Sequence, residues 1–288
     1  MKKFTIKLWA VLLLMLVSLQ TFATDNEYGL KDNIQDGVIL HCFDWTYAQI
    51  KEELPNIAAA GFSAVQTSPA HPREPVGAAW YMLYQPYDYK VGENGLGTKE
   101  GLTELCTEAH QYGVKIIVDV VANHTNGSLS YVASFWQDQS LYHDYQGGID
   151  YSNRWQVTHG RLGMWDLKTE NSRVQEKIKE YVAELKSCGV DGIRWDAAKH
   201  IGLPSEGDTF WQNVPDQTMY NYGEILDGTG GDDTVSEKVE VVSQTTGVQL
   251  HPVAGESSAK AMIYNLQGQR VDANYHGVVV CNGRKYVQ

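Results

Sequence analysis

Positive charge is scarce in this 288-residue chain, with 23 lysines and arginines against 35 aspartates and glutamates and a formal net charge of −12. A surface of that sign repels nucleic acid phosphates and anionic lipid, which excludes both as partners. Cysteine is scarce too. Cys42, Cys106, Cys188 and Cys281 lie far apart and none belongs to a C-x-x-C pair, so neither a zinc knuckle nor a dense disulfide framework is indicated. Three of them read as small buried hydrophobes at strand or helix positions, with a disulfide left open as the alternative. Long apolar runs are missing as well: the stretch from Leu8 to Leu19 is too short to span a membrane. Lys2 and Lys3 precede that stretch and small or polar residues follow to Ala23, so residues 1–23 read as a cleaved secretory signal. No cysteine near the end of the run points to a lipid anchor. The expectation is a soluble, monomeric bacterial protein, secreted, periplasmic or at the cell surface, with no membrane contact after cleavage. Its net charge falls to about −15 when Lys2, Lys3 and Lys7 leave.

What the chain does hold is 43% apolar and 11% aromatic residues, enough for one sizeable core. From Gly37 onward apolar strand-like runs alternate with helical patterns. The runs Val38–Phe43, Phe62–Thr67, Val114–Val121, Gly192–Trp195 and Met219–Ile225 predict five strands. Tyr47–Ala60, Lys99–Tyr112 and Asn171–Cys188 predict helices, each followed by a glycine (Gly61, Gly113, Gly189) suited to a helix end. Repeated βα units with continuously apolar strands predict an α/β fold with a parallel sheet, here the first five units of a (β/α)8 barrel with its chemistry at the carboxyl ends of the strands. The expected layout is a barrel over residues 24–233, interrupted at 125–165 by a lobe too long for an ordinary βα loop, and a β-rich meander over 234–288.

The strand ends carry the polar residues. Asp196 closes Gly192-Ile-Arg-Trp-Asp196, and Glu224 follows one unit later in Tyr222-Gly-Glu-Ile-Leu226. Two carboxylates on successive strand ends suit glycoside hydrolysis, in which one attacks the sugar and the other protonates the leaving oxygen; in a retaining enzyme they lie roughly 5 Å apart with pKa values pushed in opposite directions. Arg194 stands two residues before Asp196, so on a strand both point to one face, where a guanidinium keeps the carboxylate ionised and oriented. A purely structural Arg194–Asp196 pair is the competing reading. Trp80, Tyr81, Tyr84 and Gln85, in a loop after the second strand, offer flat rings and an amide for a neutral polysaccharide; buried core is the alternative for such a stripe.

Five strings in order resemble the α-amylase family, glycoside hydrolase family 13, and within it secreted bacterial members: Gln66-Thr-Ser-Pro69, Trp80-Tyr-Met-Leu-Tyr-Gln-Pro86, Asp119-Val-Val-Ala-Asn-His124, Gly192-Ile-Arg-Trp-Asp-Ala-Ala-Lys-His200 and Tyr222-Gly-Glu-Ile-Leu226. The resemblance implies Asp196 as nucleophile, Glu224 as acid/base and Asp119 as a brace. It implies sugar contacts from His124, Lys199 and His200, the last two otherwise a solvated helix start. It implies a structural calcium held by Asn123, Asp166 and the backbone carbonyls of His200 and Thr158, tying lobe to barrel; Asp166 as a helix-start acid is the plainer alternative. The implied substrate is an α-glucan: starch, glycogen or maltooligosaccharides. The segments Ile263–Val271 and Gly277–Lys285 resemble C-terminal tails of exported Bacteroidetes-type proteins.

One family string is not found. No His-Asp pair preceded by an apolar strand follows Glu224, the only His-Asp being His143-Asp144 in the lobe. The family's third acid is therefore missing from this sequence, and so are three βα units. Two expectations stand side by side: retaining endo-hydrolysis of α-1,4-glucosidic bonds, or a catalytically inactive remnant that at most binds glucan weakly.

Overall fold

The structure is a computed structural model that describes residues 26–73, 79–145 and 147–225, together with four later strands by their backbone. The expected signal segment 1–23 and the apolar alternations Val235–Val242 and Val248–Val253 lie outside the described residues. No helix among the described residues is long and apolar enough to cross a membrane.

Five parallel strands form the central sheet: β1 (Ile39–Cys42), β2 (Ala64–Thr67), β3 (Lys115–Val121), β6 (Gly192–Asp196) and β7 (Tyr220–Gly223), each hydrogen-bonded to the next in that order. Helices α1 (Tyr47–Ala59), α2 (Lys99–Gln111) and α4 (Ser172–Ser187) connect them. The helix starts are built by local chemistry. Thr46 accepts from the Gln49 N–H at 3.2 Å while Gln49 Oε1 accepts from the Thr46 N–H at 2.8 Å, a reciprocal cap, and Thr98 and Asn171 cap α2 and α4. The predicted glycines close them: Gly61, Gly113 and Gly189 take φ of 86°, 75° and 93°, a region open to glycine without steric cost.

Alternation along the strands divides the sheet in two. Leu40, Val65, Ile116, Val118, Val120, Ile193 and Trp195 face the helices and join the main core with Ile50, Leu54, Leu105, Ile178 and Leu185. The opposite face begins with a small separate cluster, Ile34, Ala64 and Ile117, against Ile39, Tyr220 and Tyr222. Further along that face the apolar residues give way to Asp119, Arg194, Asp196 and Glu224. The sheet thus has a dry floor and a charged mouth.

The lobe leaves and rejoins at a two-stranded neck, where β4 (His124–Thr125) pairs antiparallel with β5 (Trp165–Asp166). Inside it lies α3 (Arg154–His159), and Trp136, Leu141 and Tyr142 merge with the main core, so the lobe packs on the sheet's helices as one body. Cys42, Cys106 and Cys188 are free and buried, as the small-hydrophobe reading requires.

The tail contributes β8 (Ile263–Asn265), β9 (Arg270–Val271), β10 (Val278–Cys281) and β11 (Arg284–Val287). They form an antiparallel sheet of their own in the order β11-β10-β8-β9 and add no strand to the parallel sheet. A simple meander is therefore corrected: β8 pairs on both edges, and the two-residue β9 stays at the rim.

Gly192 sits where β3, β6 and β7 crowd together. A Cβ there would lie 2.9 Å from the Tyr220 carbonyl oxygen and 3.3 Å from Ile117 Cγ1. Gly192→Ala is expected to destabilise the chain by about 1–3 kcal/mol through overpacking, read as a lowered denaturant midpoint at unchanged m-value.

Candidate active site

Register explains why three carboxylates meet one guanidinium. Asp119 on β3 is level with Arg194 on β6, and Asp196 is two residues further along the same face. Arg194 is level with Tyr222 on β7, so Glu224, two residues past Tyr222, stands beside the end of β6. Arg194 Nη1 donates to Asp119 Oδ1 and Oδ2 at 2.7 and 2.8 Å and to Asp196 Oδ1 at 2.8 Å; Nη2 reaches Glu224 Oε1 at 2.6 Å. Tyr84 Oη donates to Asp119 Oδ2 at 3.0 Å. Ala197 adopts φ 50°, a strained conformation for a residue with a side chain, and this turn lets its N–H donate to Glu224 Oε2 at 3.2 Å.

Charge here is unbalanced, with one arginine against three acids. Burial opposes the charge on Arg194, but Asp119, Asp196 and Glu224 together raise its pKa and fix it as a cation. Burial pushes Asp119 and Asp196 upward, only partly offset by Arg194. Arg194 acts in the expected direction, favouring the ionised Asp196, but burial outweighs it and leaves the carboxyl raised to about 6. The ion pair that orients Asp196 is present as expected.

The residues enclose a cavity of about 440 Å³. Of the sugar-contact candidates, Trp80, Tyr84, His124, Lys199 and His200 line it. Lys199 and His200 are 4% and 7% exposed, so they are not a solvated helix start. His200 Nδ1 donates to the Val157 carbonyl at 2.8 Å and His124 Nε2 to the Tyr84 carbonyl at 3.0 Å, and burial lowers both imidazoles to about 4, leaving them neutral. Tyr81 and Gln85 fall outside the wall: Tyr81 packs edge-on against Trp80 and is half exposed, and Gln85 ends the short helical turn Trp80–Tyr84. Sequence reasoning missed His41, Phe43, Tyr151, Leu162 and Met164. His41 and Phe43 were readable from β1 alternation; the three lobe residues have no periodicity to reveal them.

Asn123 and Asp166, both 1% exposed, meet at the lobe's neck, where Asn123 Nδ2 donates to Asp166 Oδ1 at 3.1 Å. Asp166 is a neck residue in β5, not a helix-start acid; Asn171 fills that role. Its Oδ2 accepts from His143 Nδ1 at 2.6 Å, and His143 stacks on His159, the neighbour of Thr158. Burial raises Asp166 to about 6 against those donors. No group of three or more His, Cys, Asp or Glu side chains suited to a metal occurs among the described residues. The oxygen donors these two side chains could offer are the Asp166 carboxylate and, once that amide is turned, the Asn123 amide oxygen. Such an all-oxygen set fits a hard ion.

A five-stranded parallel sheet with paired acids at its carboxyl ends defines an α/β protein of the TIM-barrel type with a glycosidase-like site. The sequence pattern described as Alpha amylase, catalytic domain, matches residues 44–277, and the chain belongs to that family. It is 40% identical over 227 residues to an alpha-amylase of Clostridium acetobutylicum, covering 72% of this chain and 30% of that protein, and 32% identical over 246 residues to one of Butyrivibrio fibrisolvens, covering 71% and 25%. Among solved structures it resembles alpha-amylase I of Eisenia fetida in complex with maltohexaose, with a TM-score of 0.60 and 25% identity over 70% of this chain and 47% of that one. The chain thus spans roughly a third or less of the first two relatives and about half of the solved chain.

A raised carboxylate pKa means that the folded state holds a proton the unfolded chain gives up. Stability from Asp196 is then complete in acid and is lost as the pH climbs from the ordinary aspartate value of about 3.9 through the shifted one. Asp196→Asn is expected to melt above the unsubstituted chain at pH 8, by roughly 2–4 °C for each kcal/mol recovered, with the gain fading toward pH 4 in a calorimetric pH series. Arg194→Met is expected to lower stability by about 3–5 kcal/mol because it strands the buried Asp119 and Asp196 without their cation.

Proposed function

We propose that this chain acts on α-1,4-glucosidic bonds of starch or glycogen by retaining endo-hydrolysis, with Asp196 attacking the anomeric carbon and Glu224 serving as acid and then base. The observation that carries this reading is the single guanidinium of Arg194 holding both carboxylates at the mouth of one cavity. Glu224 is anchored by Arg194 Nη2 and the Ala197 N–H, on the rim next to the attacking group. As a glycosidic oxygen departs, Glu224 gives it a proton; the same carboxylate then draws a proton from the water that releases the sugar from Asp196. Asp119 and Tyr84 keep the guanidinium from turning away.

Walls of Trp80, Tyr84, Phe43 and Tyr151 with neutral His124 and His200 suit an uncharged, hydroxyl-rich chain that offers apolar sugar faces and hydrogen-bonding edges. The family relationship and the maltohexaose bound to the Eisenia fetida protein support an α-glucan as partner. Calcium is the ion proposed for the neck, held by Asn123, Asp166 and the carbonyls of His200 and Thr158. It would supply no reaction step, only a charge that pins the lobe over the cavity.

A second reading is glucan binding without turnover, in which Asp119, Asp196 and Glu224 stay gathered on Arg194 and hold the cavity mouth without reacting. Reducing-sugar release from soluble starch decides between them. Turnover that drops at least about a thousandfold in Asp196→Asn supports hydrolysis; turnover that survives that change overturns the mechanism. A folded chain that binds maltose and releases nothing supports the second reading. For the ion, EDTA is expected to lower the melting temperature and added calcium to restore it, with Asp166→Asn insensitive to both.

A further inference from the structure

Trp155 is a large apolar side chain left 52% exposed. It is not loose. One face of the indole stacks on His159 at 4.7 Å with an interplanar angle of 22°, and Tyr145 meets it edge-on at 5.2 Å. The His159 ring lies 4.1 Å from that of buried His143, tilted by 36°, and His143 is bonded to Asp166 at the neck. The indole is therefore held at a fixed tilt by rings that lead to the neck, and about half of it is left to solvent. A rigid ring left half open costs water contact in the free protein and loses little freedom on meeting a flat ligand.

The position of this ring relative to the cavity limits what the ligand can be. Tyr151, four residues earlier in the chain, lines the cavity, packs on His200 and lies beneath Lys199 Nζ at 5.3 Å. Four residues span at most about 14 Å, so Trp155 stands within a few sugar units of the cavity wall. Among the described residues, the rings that pack on the indole are Tyr145 and His159, neither of them a carboxylate. That combination selects a neutral ligand with flat apolar faces and enough length to leave the cavity and cross its rim.

We propose that Trp155, braced by Tyr145 and His159, forms a separate contact platform on the lobe for an α-glucan chain that extends beyond the cavity. This rests on the α-glucan reading given above. The platform sorts substrates by length: polymeric glucan touches both cavity and platform, whereas a short oligosaccharide fills only the cavity. The gain for long chains comes from a second contact on one ligand.

The test compares the unsubstituted chain, Trp155→Ala, Trp155→Phe and the cavity variant Trp80→Ala in native gels containing soluble starch, alongside maltotriose binding by calorimetry. Trp155→Ala is expected to weaken starch retardation by roughly three- to tenfold, the worth of one aromatic contact, with maltotriose affinity unchanged and Trp155→Phe near the unsubstituted chain. Trp80→Ala is expected to weaken both. If Trp80→Ala weakens both while Trp155→Ala is retarded normally, the platform is overturned and the cavity reading stands. If the unsubstituted chain shows neither retardation nor maltotriose binding, the α-glucan reading falls and the platform with it. Equal losses on starch and maltotriose in Trp155→Ala would place Trp155 in the cavity contacts and overturn the length-sorting role.

Discussion

One guanidinium carries three carboxylates from three adjacent strands, and the site is organised around that shared charge. Arg194 is largely shielded from water, with its side chain 13% exposed, which is costly for any cation, and Asp119, Asp196 and Glu224 offset that cost by surrounding it. The acids in turn depend on it. Without a central cation, their mutual repulsion in a poorly hydrated mouth would drive them apart or force protons onto them. Because burial outweighs the share of positive charge each receives, Asp119 and Asp196 bind protons more readily than free aspartate. The mouth is thus held in a state that solvent and charge balance disfavour, and ligands that exclude water act on a site already poised.

The sheet bears that cost with geometry. Successive residues alternate between faces, so the helix-facing side takes an unbroken apolar set while the other face changes from Ile39, Ala64 and Ile117 at its floor to ionisable groups at its mouth. The parallel register holds the depth of each group: Asp119 level with Arg194, Asp196 one step outward, Glu224 one strand over. A slip of one residue in any strand would send these side chains into the helix layer. Local turns finish the arrangement, and the positive φ of Ala197 is the clearest, since it points a backbone N–H at Glu224. The lobe is tied to the same mouth through its neck, where Asn123 and Asp166 are buried side by side, and through Arg154, which donates to the Ile201 carbonyl at 2.9 Å and pairs with Glu206.

Much of this was legible in the residues. Strand and helix positions follow from apolar runs closed by glycine, and their bounds in the structure differ from expectation by a residue or two because capping residues flank the hydrogen-bonded stretch. Asp196, Arg194 and Glu224 followed from strand ends and two-residue spacing. The lobe was legible only as an interruption. Its walls, Tyr151, Leu162 and Met164, come from irregular backbone with no period to count, so their meeting with the sheet residues has no local signature. Tyr81 and Gln85 show the opposite error: they belong to the right string, but a short helical turn rotates them off the wall.

The sequence by itself determined the family, the βα alternation, the side of the sheet on which the acids emerge and the shortage of positive charge. These are properties of neighbouring residues and of composition, set by periodicity and by residue chemistry. Only the tertiary structure decided that a single arginine serves three acids, that Asp166 belongs to the neck and not to a helix start, that the tail strands form a sheet apart from the parallel one, and that Trp155 is braced in the open while Trp136 is buried. Each of these depends on groups far apart in the chain arriving at one place. Burial, and the sharing of one charge among several partners, exist only once the chain has folded.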